Sequence, residues 1–409
     1  MTEKQRASLP PQLMLTVFLP FAGGYYLSYL YRSVNAIIST DLVRDLALGP
    51  SDLGLLTSVY FLTFGLFQLP LGILLDRYGP RRVTAGLLLV AGFGAALFGL
   101  AQSMTGLIAA RAMIGLGVSG CLIASIKAFT LWFPINRLAS LNGWLISFGG
   151  LGALTASTPA QALLHVTDWH GIFLGLSALT FVAAAAIFLV VPERSAQAAP
   201  QTLLESLGSL SPILRNVSFW RLGLLAIASQ AVLMAVQGLW IAPWLKDVAG
   251  LGADEVAEHL LVISIGMMVG AALWGSVADF LARHGVDSVS ILLGGVGAYL
   301  AMLALLALGM TGATMWILFG LSLFGQVTPL VYSILPKQFT LELCGRVAST
   351  LNFLVFLGAF AAQWGIGAII NLWPIQAGRY AAAGYEAAFG ACCVLVLVPY
   401  ALLWAARKK

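Results

Sequence analysis

The sequence predicts an all-helical protein integral to a membrane, crossing it twelve times. Two observations carry that prediction. Hydrophobic residues make up 60% of the chain and charged residues only 9%, whereas a soluble domain carries about 25% charge. Apolar stretches long enough to cross the hydrocarbon core as helices, about 20 residues each, recur from end to end. They fall near 13–38, 52–75, 82–103, 107–131, 138–163, 170–191, 219–245, 256–282, 287–309, 312–336, 345–371 and 384–406.

Taken in order, span 1 follows the polar segment MTEKQRASLPPQ and is too long for a signal-peptide core, with no cleavage pattern after it, so it is expected to be retained. Spans 2 and 3 are joined by GILLDRYGPRR, and spans 4 and 5 by WFPINR. Span 5, GWLISFGGLGALTASTPA, is rich in small residues that let helices approach closely. The longest polar interruption, 192–218, separates six spans from six. Within it Leu203, Leu207 and Leu210 share a helical face, which reads either as a short interfacial helix or as part of a flexible linker. The expected domains are therefore 1–191, a linker at 192–218, and 219–409.

The net charge of +5 could point to nucleic acid, but its distribution points to topology. Lys4, Arg6, Arg77, Arg81, Arg82, Arg137, Arg194, Arg215, Arg221, Arg283, Lys337, Arg346, Arg407, Lys408 and Lys409 fall on one side; Arg44, Lys246 and Arg379 fall on the other. Basic loops stay cytoplasmic, so both termini are expected inside, in a bacterial-type inner membrane with lipid as the surrounding partner. The sequon at Asn216 lies on that inner side and is discounted. Cys121, Cys344, Cys392 and Cys393 have neither disulfide nor metal spacing. No nucleophile–base pair, metal cluster or nucleotide loop is present, so neither an enzyme nor a cofactor is expected.

The halves echo each other. GILLDRYGPRR carries Gly72, Asp76, Arg77, Gly79, Arg81 and Arg82; GSVADFLARHG, between spans 8 and 9, carries Gly275, Asp279, Arg283 and Gly285. Each places G-x-x-x-D at a helix end, followed by basic residues. The first resembles the signature loop of the major facilitator superfamily, and the second its degenerate copy. Arg111-Ala-Met-Ile-Gly115-Leu-Gly117 resembles the R-x-x-x-G-x-G pattern of the same superfamily. The resemblance covers essentially the whole chain. It implies two pseudo-symmetric six-helix bundles around a midplane cavity, rocking between inward- and outward-open states, in a carrier expected to work as a monomer. Asp76 beside a helix N-terminus and an arginine would form a latch that breaks as the halves rock; a plain helix-end charge cluster is the alternative.

Once topology is assigned, Arg32, Arg111 and Lys127 remain inside spans, while no carboxylate lies deep in any span. An arginine at the centre of a spanning helix costs roughly 2.5–3.5 kcal/mol even on lenient insertion scales. An anionic substrate would compensate it, because the guanidinium fork grips a carboxylate through two hydrogen bonds. Tyr25, Ser28, Tyr29, Arg32 and Asn35 recur at three- and four-residue steps, giving span 1 one polar face. That face reads as a cavity wall in which Tyr25, Tyr29 and Asn35 orient the anion, or else as a satisfied helix–helix contact. Arg111 is a second candidate clamp or a structural arginine, and Lys127 an inner waystation or an interfacial charge that snorkels. From the second half, Gln230, Gln237, Trp240 and Trp244 in span 7 offer a neutral polar and aromatic wall, joined by Gln326, Tyr332, Asn352, Gln363 and Trp364 in spans 10 and 11.

The stretch from YLYRSVNAIISTDLVRDLALGPSDLGLL through the first loop motif is similar to the organic-anion branch of the superfamily, the anion:cation symporters. Arg32 and Arg111 match the two arginines that bind the substrate carboxylate in that branch. Tyr31 and Val118 stand where the branch carries the acidic residues that hold its coupled proton. Coupling therefore stays open between facilitator, exchanger and symporter, with His165 and His170 as the remaining titrating groups. The expected function is transport of a small or medium organic anion, most simply a carboxylate. Efflux, carriage of a larger metabolite such as a siderophore, and a non-transporting receptor or lipid-handling role are the rivals. Span 5 lacks the G-P-x-x-G-G core that resembles the drug-antiporter signature, which disfavours drug export.

Overall fold

The computed structural model describes residues 11–193, 210–340, 343–375 and 378–407, and its described elements are helices. Ten of them are long and apolar enough to cross a membrane. One, Pro50–Leu100, has 51 residues; at 1.5 Å per residue it would reach about 77 Å, more than twice the ~30 Å hydrocarbon core. It is divided at Gly79, whose φ of 76° suits a residue without Cβ. Pro80 then starts the next helix, where a missing N–H costs nothing. The segment is thus two crossings, α2 (50–78) and α3 (80–100).

A further crossing, α5 (138–164), is built from Leu138–Thr155 and Thr158–Leu164. The others are α1 Pro11–Leu46, α4 Met104–Trp132, α6 Trp169–Val190, α7 Val217–Asp247, α8 Ala253–Arg283, α9 Ser288–Ala307, α10 Thr314–Gln338 and α11 Cys344–Ile370, with α12 Ala382–Arg407. Every predicted span has its helix. The helix expected through Leu203, Leu207 and Leu210 falls, but for its last residue, outside the described residues; a short turn, Leu210–Leu214, precedes α7.

Around the outside, Leu189, Val182, Phe93 and Leu402 are more than 60% exposed. Such a surface would aggregate in water but suits hydrocarbon. Inside, sparse polar side chains tie each half together. Tyr31 on α1 bonds Thr180 on α6 at 2.8 Å, Gln68 on α2 donates to the Ser119 carbonyl on α4 at 3.0 Å, and Ser177 on α6 donates to the Gly92 carbonyl on α3 at 2.8 Å. In the second half Trp240 on α7 donates to the Gln363 carbonyl on α11 at 2.8 Å, and Trp274 on α8 to the Leu323 carbonyl on α10 at 2.7 Å. The glycines after Arg111 serve the same end. A Cβ on Gly115 would lie 2.3 Å from the Tyr60 carbonyl oxygen, and one on Gly117 2.4 Å from the Ala91 nitrogen, so that motif is what lets α4 touch α2 and α3 backbone to backbone.

The bundle has a basic end, with Arg77, Arg81 and Arg82, and an acidic end, with Asp45, Asp52, Asp247 and Asp254. The halves are locked together at the acidic end and the midplane. Tyr380 donates to the Leu48 carbonyl at 3.3 Å, Asp254 meets His165 at 3.0 Å and Gln161 at 3.3 Å, and Ser264 donates to the Ala153 carbonyl at 3.4 Å. Helices α2 and α11 touch there as well, since a Cβ on Gly367 would sit 2.4 Å from the Pro50 carbonyl oxygen. Gly367→Leu should force this end apart. Spin labels placed beside Leu48 and Tyr380 are expected to report a longer and broader distance; an unchanged distribution would show that this contact does not hold the seal.

Candidate functional site

Four crossings are interrupted near their middles. Helix α4 breaks at Ser119–Gly120 and α5 at Ala156–Ser157, α7 carries a π-turn at Val236–Trp240, and α10 passes through a 3-10 turn at Thr328–Leu330. Interrupted helices are tolerated at membrane depth where they border protein or a cavity, and π-turns concentrate at functional sites. Here each break contributes to one cavity of about 570 Å³ between the halves: Ser119, Ser157, Gln237 and Pro329 all line it. A cavity of that size can hold a drug-sized ligand.

Its first-half wall comes from α1, α2, α4 and α5. On α1, Tyr25, Tyr29, Arg32, Ser33 and Ala36 line the cavity, a face rotated slightly from the one the sequence suggested. Ser28 instead sits 3.5 Å from the Val118 carbonyl within the half. Asn35 is buried with its Oδ1 unpaired and is not among the lining residues. The opposite wall is uncharged and partly apolar, with polar groups from Gln230 and Gln237 of α7, Gln326 and Tyr332 of α10, and Asn352 of α11, Tyr332 donating to Asn352 at 3.3 Å.

Among the lining residues Arg32 carries the only charge. Three aromatic faces surround its guanidinium, Tyr29 at 4.9 Å, Phe64 at 5.3 Å and Phe356 at 5.4 Å. Phe64 and Phe356 stack across the two halves with centroids 4.2 Å apart. Rings can hold a cation through their quadrupoles; the Tyr60 hydroxyl adds one neutral hydrogen-bond partner, and Nε is buried with none. A ligand oxygen is the natural complement.

Arg111 is placed differently from the expected second clamp. It is fully buried inside the first half, its guanidinium 4.4 Å from the Phe98 ring and 5.0 Å from Phe173, and its three nitrogens have no hydrogen-bond partner. It does not line the cavity. Trp240 and Trp244 are fully buried too, Trp240 spending its N–H on Gln363, so neither forms a cavity wall or an interfacial belt. Trp364 is 42% exposed and likewise lies off the cavity.

Compared with known proteins, residues 21–363 match the Major Facilitator Superfamily. The chain belongs to that superfamily. It is 23% identical over 394 residues to a protein named a probable L-galactonate transporter from Escherichia coli (strain K12), covering 90% of this chain and 85% of that one. It is 24% identical over 353 residues to a probable sulfoacetate transporter of Cupriavidus necator, covering 82% and 81%. Among solved structures, a bacterial homologue of the human lysosomal transporter Spinster, in an inward-facing conformation, superposes with a TM-score of 0.75 at 18% identity, covering 98% of both chains. The nucleoside transporter NupG gives 0.76 at 13%, covering 95% of this chain and 98% of that one. The protein is thus a multi-pass major facilitator transporter.

The superfamily's loop residues sit at the basic end. Asp76 pairs with Lys127 of α4, not with an arginine as its neighbourhood in the sequence suggested. Both partners belong to the first half, so in this form the pair fastens α2 to α4 and does not span the halves. Lys127 is thereby accounted for away from the cavity, and Lys127→Gln is expected to leave anion affinity unchanged. Asp76 is 47% exposed; the loss of the pair should cost less than about 1 kcal/mol in thermal unfolding. Arg81 donates to the Phe188 carbonyl at 2.8 Å and, with Arg82, faces Glu193. Gly72, Arg77, Gly275, Asp279 and Arg283 are exposed, with Arg77 stacked near Tyr78. Of the four histidines, His165 and His170 lie at the acidic end, His165 on Asp254 and His170 on Asp168 at 3.3 Å.

Sequence reading did not find Ser33, Phe64, Gln68, Ser157 or Phe356 as lining residues. For Ser157 a signal existed: the S-T-P run at 157–159 is a helix-interrupting pattern, since proline disfavours helix in the residue before it.

Proposed function

We propose that this transporter carries a small or medium organic anion, most simply a carboxylate, by alternating access, with Arg32 as its clamp. One observation carries the reading: among the described residues the sole charge lining the midplane cavity is a guanidinium whose Nε is unpaired. Relatives named as transporters of L-galactonate, sulfoacetate and hexuronate support it. Tyr25, Tyr29 and Gln237 orient the ligand from opposite walls. A cationic drug would meet Arg32 with no carboxylate in the lining to balance it. In this reading the halves are 1–191 and 219–409 joined by 192–218, the basic end faces the cytoplasm of a bacterial-type cell, and the Asp76 loop, with Asp279 and Arg283 as its counterpart, acts as the latch.

A thermal-stability screen of the purified protein tests it. L-galactonate, D-glucuronate and sulfoacetate are expected to raise the unfolding temperature, while neutral sugars and lipophilic cations leave it unchanged. Stabilisation by the cations alone would refute the reading.

A further inference from the structure

We infer that this protein is an anion exchanger: its cavity reorients readily only when an anion occupies it, so one anion enters as another leaves. The inference rests on the anion reading of the same cavity and adds how the cycle is completed.

Among the described residues Arg32 is the only charged one lining the cavity. The second buried cation of that half, Arg111, also has no carboxylate partner; rings flank it and its nitrogens are unpaired. Acidic groups of the cavity helices are engaged at the ends of the bundle, Asp76 with Lys127, Asp45 with Arg44 and Trp169, Asp254 with His165, and Asp247 with Tyr385 and Tyr380, while Glu258 is exposed and off the cavity lining. Among the described residues, the midplane of the first half therefore holds positive charge and no negative charge.

For the halves to rock, the cavity must close around Arg32. If it closes empty, the guanidinium loses cavity water and keeps the Tyr29, Phe64 and Phe356 faces and the Tyr60 hydroxyl, neutral partners that cannot cancel its charge. Removing an ion from water without a hydrogen-bonded counter-charge is unfavourable. If the cavity closes around an anion, a carboxylate fork satisfies the guanidinium and cancels the charge. The loaded form therefore crosses faster than the empty form. Each half-cycle moves one anion on one fixed cation, so a one-for-one exchange transfers no net charge when the two anions carry equal charge.

A proton cannot easily take the anion's place. The groups facing Arg32 from α1 and α2 are Tyr25, Tyr29 and Tyr60, with Cys121 of α4 beside Tyr25. On the opposite wall the titratable group is Tyr332. None of these is a carboxylate or an imidazole, the side chains that coupled transport most often uses to carry a proton. His259 of α8 is tied to the Glu255 carbonyl and to Thr314 and does not line the cavity.

Proteoliposomes containing the purified protein test the inference. External labelled L-galactonate, D-glucuronate and sulfoacetate are presented to vesicles that hold the same anion, no transportable anion, or no transportable anion plus an imposed acid-outside pH gradient. Exchange predicts initial uptake at least about tenfold faster into the anion-loaded vesicles, with the pH gradient changing uptake into empty vesicles less than about twofold, on the ground that a kcal-scale desolvation difference is worth an order of magnitude in rate. Equal rates into loaded and empty vesicles, or accumulation driven by the pH gradient, would overturn exchange while leaving the anion reading standing. If none of the three anions enters in any arm, both readings fall.

Discussion

Arg32→Gln is expected to weaken binding of a transported anion by about ten- to a hundredfold, because a hydrogen bond to a charged group is worth about 1.5–3 kcal/mol and each 1.4 kcal/mol is tenfold. Glutamine keeps some length and one donor pair but loses the charge. The fold should survive, since among the described residues Arg32 has no ion-pair partner whose charge would be stranded and its surroundings are the rings of Tyr29, Phe64 and Phe356 and the neutral Tyr60 hydroxyl. Arg32→Lys restores the charge without the planar fork and should recover only part of the affinity. Titrating L-galactonate against unfolding temperature would compare the three forms. Equal affinity in Arg32→Gln and the parent would remove Arg32 from the site and make it a structural cation.

Arg111→Met should behave in the opposite way, preserving anion affinity within about threefold and raising thermal stability. Replacing buried ionic groups by apolar residues of similar volume is often neutral or stabilising by about 1–4 kcal/mol. Here the balance leans that way because the guanidinium has three unpaired nitrogens. The rings of Phe98 and Phe173 return part of the cost, about 2 kcal/mol or more for a desolvated cation–π contact, and methionine retains favourable contact with the same rings. Unfolding temperature and anion affinity measured together decide the point. A destabilised variant that also loses affinity more than tenfold would show that Arg111 reaches the ligand in another state of the cycle, as a second clamp.

The contrast between these arginines shows where sequence reading stopped. Both stand in apolar helices, both match the arginines of the organic-anion branch, and spacing assigns each to a helix face. What separates them is which neighbouring helices supply the other walls. Arg32 points between the halves, where α7, α10 and α11 stand back; Arg111 points into the first half, where Phe98 and Phe173 close over it. Asp76 and Lys127 make the same point, since 51 positions separate them in the chain and only the packing of α2 on α4 joins them.

By itself the sequence determined that the chain lives in a membrane, that it crosses twelve times, which ends of the helices are basic, and that its interior holds cations without carboxylates. Those properties are local or compositional: hydropathy over about 20 residues decides insertion, and charge in the short loops decides orientation. The tertiary structure alone decided which cation faces the cavity, that Asn35, Trp240 and Lys127 do not, and that breaks in α4, α5, α7 and α10 surround the site. Those depend on helix rotation and on contacts between residues far apart in the chain, and a periodic pattern on one helix cannot specify which neighbour will cover it.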